Sequence, residues 1–327
     1  MAIDWAPFVD LVRRHQRFVI TTHVRPDGDG LGSMLALDEV LRAMGKEVHL
    51  TVASSFPSRY LFMDPQRRLQ HFEAPGEAYK DVEVALVLDT GTWNQLGSFG
   101  QFLAKLQASK AVIDHHPTQD DLGAQRFLDT SAEATGRLIY EAIDALGQPL
   151  PAAAANALFT AVSMDTGWFR HNNTTAKTFD LAAKLVEAGA KPEPLYYQLF
   201  EQNSVGRLKL MGIILGRLQI AMEGKIAYTY LLRDDYELTG ATPQDCEDLV
   251  NYMLSLRGVE VGLFFMEQPR GGVKVSFRSR HANVSSVAEQ FGGGGHRLAS
   301  GATLTSSLEE AQSRVLQAVG AALLPAG

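Results

Sequence analysis

Arg17-Phe-Val-Ile-Thr-Thr22 runs straight into His23-Val-Arg-Pro-Asp27-Gly-Asp29-Gly-Leu-Gly-Ser33, and this junction decides the fold. The first six residues form a short apolar run, the pattern of a buried strand. The polar loop leads into a helix expected from about Gly32 to Met44, with Gly45 in the usual C-terminal position. Outward from this unit the alternation repeats. Glu47–Ala53, Val82–Asp89 and Lys110–Asp114 read as strands, and Ala132–Leu146 and Pro151–Met164 as helices, the second opened by its proline. Upstream, MAIDWAPFVDLVRRHQRF reads as an amphipathic helix, since Asp4 and Asp10 stand where a signal peptide would be basic and then apolar. Strands interleaved with helices predict a parallel sheet with right-handed crossovers.

The pattern weakens near 187–205, where Pro192 and Pro194 interrupt it, and a domain boundary is expected there. Residues 1–188 are read as one domain, 189–222 as a linker with a connecting helix over Leu208–Met222, and 223–327 as a second domain. That domain reads strand (Ile226–Leu232), helix (Gln244–Leu256), strand (Val259–Glu267), strand (Gly272–Ser279), helix (Val284–Phe291), a glycine loop, a strand and a final helix (Leu308–Leu324). The QPRGG turn predicts antiparallel pairing of the strands beside it. The expected class is α/β: a parallel-sheet N-terminal domain and a smaller C-terminal α/β domain with a mixed or antiparallel sheet, facing each other across an active-site cleft.

The chain has 327 residues, enough for two domains. Its 46% hydrophobic and 20% charged fractions exclude wholesale disorder. A net charge of −7 argues against broad binding to duplex nucleic acid, though a short single strand fits a locally positive cleft. Cys246 is the sole cysteine, which excludes an internal disulfide and any thiolate zinc site and fits a reducing cytoplasm. No stretch reads as a membrane span.

Four clusters carry the chemistry. His23, Asp27 and Asp29 lie within seven residues at a strand's carboxyl end, where ligands gather in parallel sheets. One imidazole and two carboxylates suit a divalent ion, although the same residues would serve a polar turn with an aspartate cap. Asp89-Thr-Gly91 closes a second strand, and alone it reads equally as a turn. Asp114-His115-His116 closes a third, and an acid followed by two histidines has few structural uses. Asp165 ends an apolar helix, where the helix dipole disfavours an anion and a cation would compensate. Together these residues suffice for two octahedral ions sharing one carboxylate, about 3.5–4 Å apart, a pair that clamps a phosphoryl group. The donor mix favours Mn²⁺ over Mg²⁺ or Co²⁺. His15, His49, His71, His171 and His281 have no such setting and read as structural or solvated. The P-loop, the dinucleotide fingerprint and H-E-x-x-H are all absent.

In order and spacing these clusters resemble the DHH phosphoesterase family, named for the triplet that stands here at Asp114-His115-His116. Val275-Ser-Phe-Arg278-Ser279 and Gly292-Gly-Gly-Gly-His296-Arg-Leu-Ala-Ser300-Gly look like the family's associated nucleotide-binding domain. The likeness spans nearly the whole chain and is greatest to the two-domain nano-RNases that double as 3′-phosphoadenosine 5′-phosphate (pAp) phosphatases. It implies that His23, Asp27 and Asp89 hold one ion and that Asp29, Asp89, His115 and Asp165 hold the other. It further implies that His116 contacts the scissile phosphate or the leaving oxygen, with Asp114 orienting the histidines. Arg278, Ser279, Gly293, Gly294, Gly295, His296 and Ser300 would bind the far end of the substrate. Many relatives carry Asn at Arg25 and Ala at Gly30, and the sequence assigns Arg25 no role.

The expected activity is hydrolysis of short oligoribonucleotides to mononucleotides, with pAp going to AMP. Alternatives are a linear or cyclic dinucleotide phosphodiesterase, an inorganic pyrophosphatase, a single-strand DNA exonuclease and a catalytically silent nucleotide-binding protein. The pyrophosphatases lack a GGGGH loop, and the exonucleases need a basic channel. The expected partner is a short single-stranded RNA or nucleotide, with no duplex and no membrane, and a homodimer is left open.

Overall fold

In a computed structural model, residues 3–323 are described. The chain divides into two compact units, Met1–Gln202 and Asn203–Gly327. In the first, β1 (Arg17–Thr21), β2 (Glu47–Val52), β3 (Leu69–His71), β4 (Val84–Leu88), β5 (Ser109–Asp114) and β6 (Gln125–Leu128) form a six-stranded sheet in the order β3-β2-β1-β4-β5-β6. Every pairing in it is parallel. The order reverses direction between β1 and β4, the kind of switch point where open α/β sheets bind ligands.

Both faces of the sheet are covered, which explains why its strands read as continuous apolar runs. In β4, Val84, Leu86 and Leu88 join one core, while Ala85 and Val87 join the other. The first core takes in α1 (Ala6–Arg14), α2 (Gly28–Ala43), α4 (Thr135–Ala145) and α5 (Ala152–Asp165). The second is closed by α3 (Gly97–Lys105) through Phe99 and Leu103. Two further helices, α6 (Ala176–Glu187) and α7 (Pro192–Phe200), complete the unit. Helix α2 starts earlier than its periodicity implies, because Asp27 caps it by accepting from Asp29 N and Gly30 N. The segment 189–222 is shared out: α7 buries Leu195 and Leu199 in the first unit, and the rest of the segment lies mainly in the second.

The second unit holds α8 (Val205–Gly216), β7 (Gln219–Ala221), β8 (Ile226–Leu231), α9 (Asp234–Thr239), α10 (Asn251–Leu254), β9 (Val261–Glu267), β10 (Val273–Ser279), α11 (Val284–Glu289), β11 (Gly294–His296), β12 (Ala299–Leu304) and α12 (Leu308–Leu323). Leu324, the last residue of the helix expected there, lies outside the described residues. The sheet runs β11-β12-β10-β9-β8-β7 and is mixed, with β8–β9 parallel and the other pairs antiparallel. The expected hairpin between β9 and β10 is present.

Three sequence expectations change. The helix expected to reach Met222 stops at Gly216, and Gln219–Ala221 pairs with β8 as an edge strand. The helix expected over Gln244–Leu256 breaks into a 3₁₀ turn (Pro243–Cys246) and the short α10, with Asp248 left-handed at φ 62° between them. The glycine run is half strand, since Gly294–His296 pairs with β12.

Helices α2 and α5 cross closely at Gly32, where an added Cβ would meet the Ala157 carbonyl oxygen and sit 3.0 Å from Ala161 Cβ. Alanine is the better helix former by about 1 kcal/mol, so propensity alone predicts that Gly32→Ala stabilises. Overpacking against a backbone oxygen opposes it at about 1–3 kcal/mol. The expected outcome in thermal denaturation is a lower Tm, and an unchanged or raised Tm would show that the crossing is slack.

Candidate metal centre

The sheet brings three clusters together because β1, β4 and β5 are adjacent and parallel, so their carboxyl ends share one edge. His23 follows β1, Asp89 follows β4 and Asp114 ends β5. Asp29 sits in the first turn of α2, and Asp165 is the last residue of α5, the helix packed on it. The crossing that Gly32 permits is therefore also what brings Asp29 toward Asp165.

Asp89 lies at the middle. Its Oδ2 is 3.5 Å from His23 Nε2, and its Oδ1 is 3.6 Å from His115 Nε2 and 3.7 Å from His116 Nδ1. One carboxylate thus offers an oxygen to each side, the geometry of a bridge. It does so from a left-handed backbone (φ 61°), unusual for a side-chain-bearing residue. His23 Nε2 also lies 3.7 Å from Asp27 Oδ1. His115 Nε2 lies 3.8 Å from Asp29 Oδ2 and 3.7 Å from Asp165 Oδ2. Donor atoms of His23, Asp27 and Asp89 fall within 4.8 Å of one another, as do those of Asp29, His115 and Asp165.

The donor set fits divalent cations. His115 Nδ1 lies 3.1 Å from the Ala132 carbonyl oxygen, so Nδ1 carries the hydrogen and the Nε2 lone pair faces three carboxylates. That Nε2 is buried and has no hydrogen-bond partner. A lone pair aimed at carboxylate oxygens is repelled unless a cation stands among them. His23 is oriented in a similar way, its Nδ1 3.0 Å from the Val24 carbonyl oxygen and its Nε2 turned to Asp27 and Asp89.

The titration behaviour has the same origin. Burial pushes His23 down, but hydrogen bonds to Asp27 and Asp89 outweigh it and raise its pKa to about 10. Burial raises Asp29 well above the usual carboxylate range, with the charges of Asp89 and Asp165 adding to it. Burial likewise lifts Asp165 to about 6, against the opposing pull of His115. Protons gather where the negative charge is otherwise uncompensated.

His116 is different. It is half-exposed, and its Nδ1 is 2.8 Å from Oδ1 of the fully buried Asp114. That hydrogen bond raises its pKa to about 9.

Several supporting groups have no sequence signature. Helix α4 points its N-terminus at the site: Thr135 N donates to Asp29 Oδ2 at 2.7 Å and Gly136 N to Asp29 Oδ1 at 2.8 Å. The Thr135 hydroxyl donates to Asp89 Oδ1 at 2.9 Å. Gln119 Nε2 donates to Asp114 Oδ2 at 2.6 Å. Asp27 caps α2 with Oδ1, the same oxygen that lies 3.7 Å from His23 Nε2, so the cap does not take it away from the cluster. Arg25 is exposed and left-handed (φ 55°).

In the second unit, Arg278 is part-buried on β10, with Nη1 3.0 Å from the Phe277 carbonyl oxygen. His296 is exposed, and Gly294 has open space where a Cβ would be. Gly293 packs on Gly301 and Ala302. Gly295 is left-handed (φ 144°) and packs on Ala299 and Ser300. Ser300 Oγ is spent on the Val284 carbonyl oxygen at 2.8 Å, and Ser279 Oγ accepts from His281 N at 3.2 Å.

Fold and donor set define a two-unit α/β protein whose parallel sheet gathers carboxylates and imidazoles at one edge, in groups that could hold divalent metal. Comparison with known proteins places it further. The DHH family N-terminal domain matches residues 17–162, and the DHHA1 domain matches residues 223–323. The chain is 32% identical to the bifunctional oligoribonuclease and PAP phosphatase NrnA of Thermus thermophilus, over 94% of this chain and 90% of that one. It is 31% identical to the protein of the same name from Bacillus subtilis, over 89% of this chain and 90% of that one. A solved structure of an exopolyphosphatase-related protein from Bacteroides fragilis superposes with a TM-score of 0.89 at 25% identity, covering 96% of this chain and 95% of that one. The chain belongs to the DHH family.

In the metal-free protein His23 holds a proton at neutral pH, and to act as a ligand through Nε2 it must release it. Its raised pKa means that protons compete throughout the range below about 10. Mn²⁺ affinity should therefore rise with pH, by about tenfold per unit for each proton displaced. Calorimetric titrations at pH 6.5 to 8.5, in buffers of different ionisation enthalpy, read both affinity and proton release. A pH-independent affinity without proton release would remove His23 from the ligand set.

Proposed function

We propose that this chain hydrolyses short single-stranded oligoribonucleotides to mononucleotides, and pAp to AMP, with two divalent ions, Mn²⁺ by preference. The observation that carries the reading is Asp89, shared oxygen by oxygen between the His23 group and the His115 group. The activities for which the Thermus and Bacillus relatives are named, proteins similar to this chain over about nine-tenths of both lengths, support the substrate class.

His23, Asp27 and Asp89 would hold one ion, and Asp29, Asp89, His115 and Asp165 the other. Bound there, two divalent ions supply Lewis acidity, neutralising phosphate charge and acidifying water. The protein's part is preorganisation. The α4 N-terminus holds Asp29 by both oxygens, and Thr135 fixes one oxygen of Asp89. The Ala132 carbonyl sets the tautomer of His115. His116, kept charged at neutral pH by Asp114, holds a proton for the oxygen that leaves the phosphorus. In the second unit, Arg278 and His296 beside Gly294 and Gly295 would take the non-reacting phosphate or base, a charge-assisted contact. Ser279, Gly293 and Ser300 would serve that surface by shaping it. The reading sets the activity in the cytoplasm. Among the described residues no helix is long and apolar enough to cross a membrane.

Asp89→Asn should abolish hydrolysis and leave the circular-dichroism spectrum unchanged, because one amide nitrogen cannot replace the oxygen offered to one side. Wild-type turnover at saturating Mn²⁺ would remove Asp89 from the centre. Substrate length gives an independent check. With a net charge of −7 and no extended basic track in the sequence, rates should fall steeply from two- to five-nucleotide RNA toward roughly twenty nucleotides. Equal rates on both would favour a processive exonuclease.

A further inference from the structure

Asn173 lies in the loop between α5 and α6, eight residues past Asp165. Its Nδ2 donates to the Glu133 carbonyl oxygen at 3.1 Å and to the Asp165 carbonyl oxygen at 3.3 Å. The amide is held one way round, because the flipped orientation would set Oδ1 against two carbonyl oxygens. Oδ1 itself is buried and takes no hydrogen bond from the protein. Leaving a buried acceptor unpaired is costly, and the two bonds of Nδ2 offset that cost.

Both carbonyls adjoin the metal centre. Glu133 follows Ala132, whose carbonyl orients His115, and precedes by two residues Thr135, which holds Asp29 and Asp89. Asp165 closes α5, where the last carbonyls have no partner inside the helix. One amide thus ties the loop that aims His115 to the helix end that carries Asp165. These two side chains approach to 3.7 Å between Nε2 and Oδ2. Asn173 makes no hydrogen bond to His23, Asp27 or Asp89.

We propose that Asn173 is a positioning residue that sets the spacing of His115 and Asp165 and thereby the affinity of the ion these two share with Asp29. It touches neither ion, and it acts on one of the two sites only. The inference rests on the two-ion reading of the centre.

The test uses the metal-free full-length chain as wild type, Asn173→Ala and Asn173→Asp, the last keeping the shape and losing the donor. Each is titrated with Mn²⁺ by calorimetry, and electron paramagnetic resonance is recorded at two equivalents. The wild type should bind two ions per chain and show a spin-coupled pair. Both variants should keep one site at wild-type affinity and weaken the other tenfold or more, so that the isolated-ion six-line signal appears. Two unchanged sites in the variants would overturn the positioning role while the two-ion reading stands. Equal weakening of both sites with a lowered Tm would make Asn173 a general structural residue and also overturn it. A wild type that binds no Mn²⁺ pair would defeat the two-ion reading itself, and the proposal with it.

Discussion

Asp27, Asp29, Asp89 and Asp165 converge on two imidazoles at the end of a sheet that is apolar on both faces, and their mutual repulsion is the constraint that the first unit is organised around. In a region of low effective dielectric, carboxylates so close cannot all stay ionised without a counter-charge. The repulsion shows in the titration of the metal-free protein: burial and the neighbouring carboxylates push Asp29 and Asp165 above the usual carboxylate range, and hydrogen bonds to Asp27 and Asp89 raise His23. Dipoles supply part of the counter-charge: the first N–H groups of α2 point at Asp27, and those of α4 at Asp29. A divalent cation is the remaining candidate, and the lone pair of His115 Nε2 is aimed where one would stand.

Holding repelling groups in place requires a stiff frame. Parallel strands hydrogen-bonded on both sides have little freedom, and β1, β4 and β5 form the middle of the sheet. The other carboxylates come from α2 and α5, packed so closely that glycine is needed at the crossing. Core packing and site geometry are thus one property here. The same stiffness explains how Asp89 keeps a left-handed backbone at the end of a strand, a local cost that the surrounding structure can impose.

The two units differ in how firmly their candidate residues are held. The first presents groups already locked by backbone donors and carbonyls. In the second, Arg278 and His296 are less restrained, and Ser279 and Ser300 spend their hydroxyls on the local backbone.

The sequence by itself determined the parallel α/β class of the first unit, a mixed or antiparallel sheet in the second, and which carboxylates and imidazoles stand at the strand ends that meet. Both kinds of information are local. Apolar runs of four to six residues declare buried strands, and donors written at strand ends must meet once the strands are neighbours. Short or irregular elements escaped it: β3 and β6 are too short to show a pattern, and the left-handed Asp248 breaks a helix that periodicity alone continues. Only the tertiary structure decided which oxygen of Asp89 faces which histidine, and which groups hold the ligands still. Thr135 reaches Asp29 across 106 positions of chain, and Asn173 reaches Glu133 across 40. A threonine or an asparagine in a loop has many uses, and its spacing in the sequence carries no sign of a partner that close packing alone brings within hydrogen-bond reach.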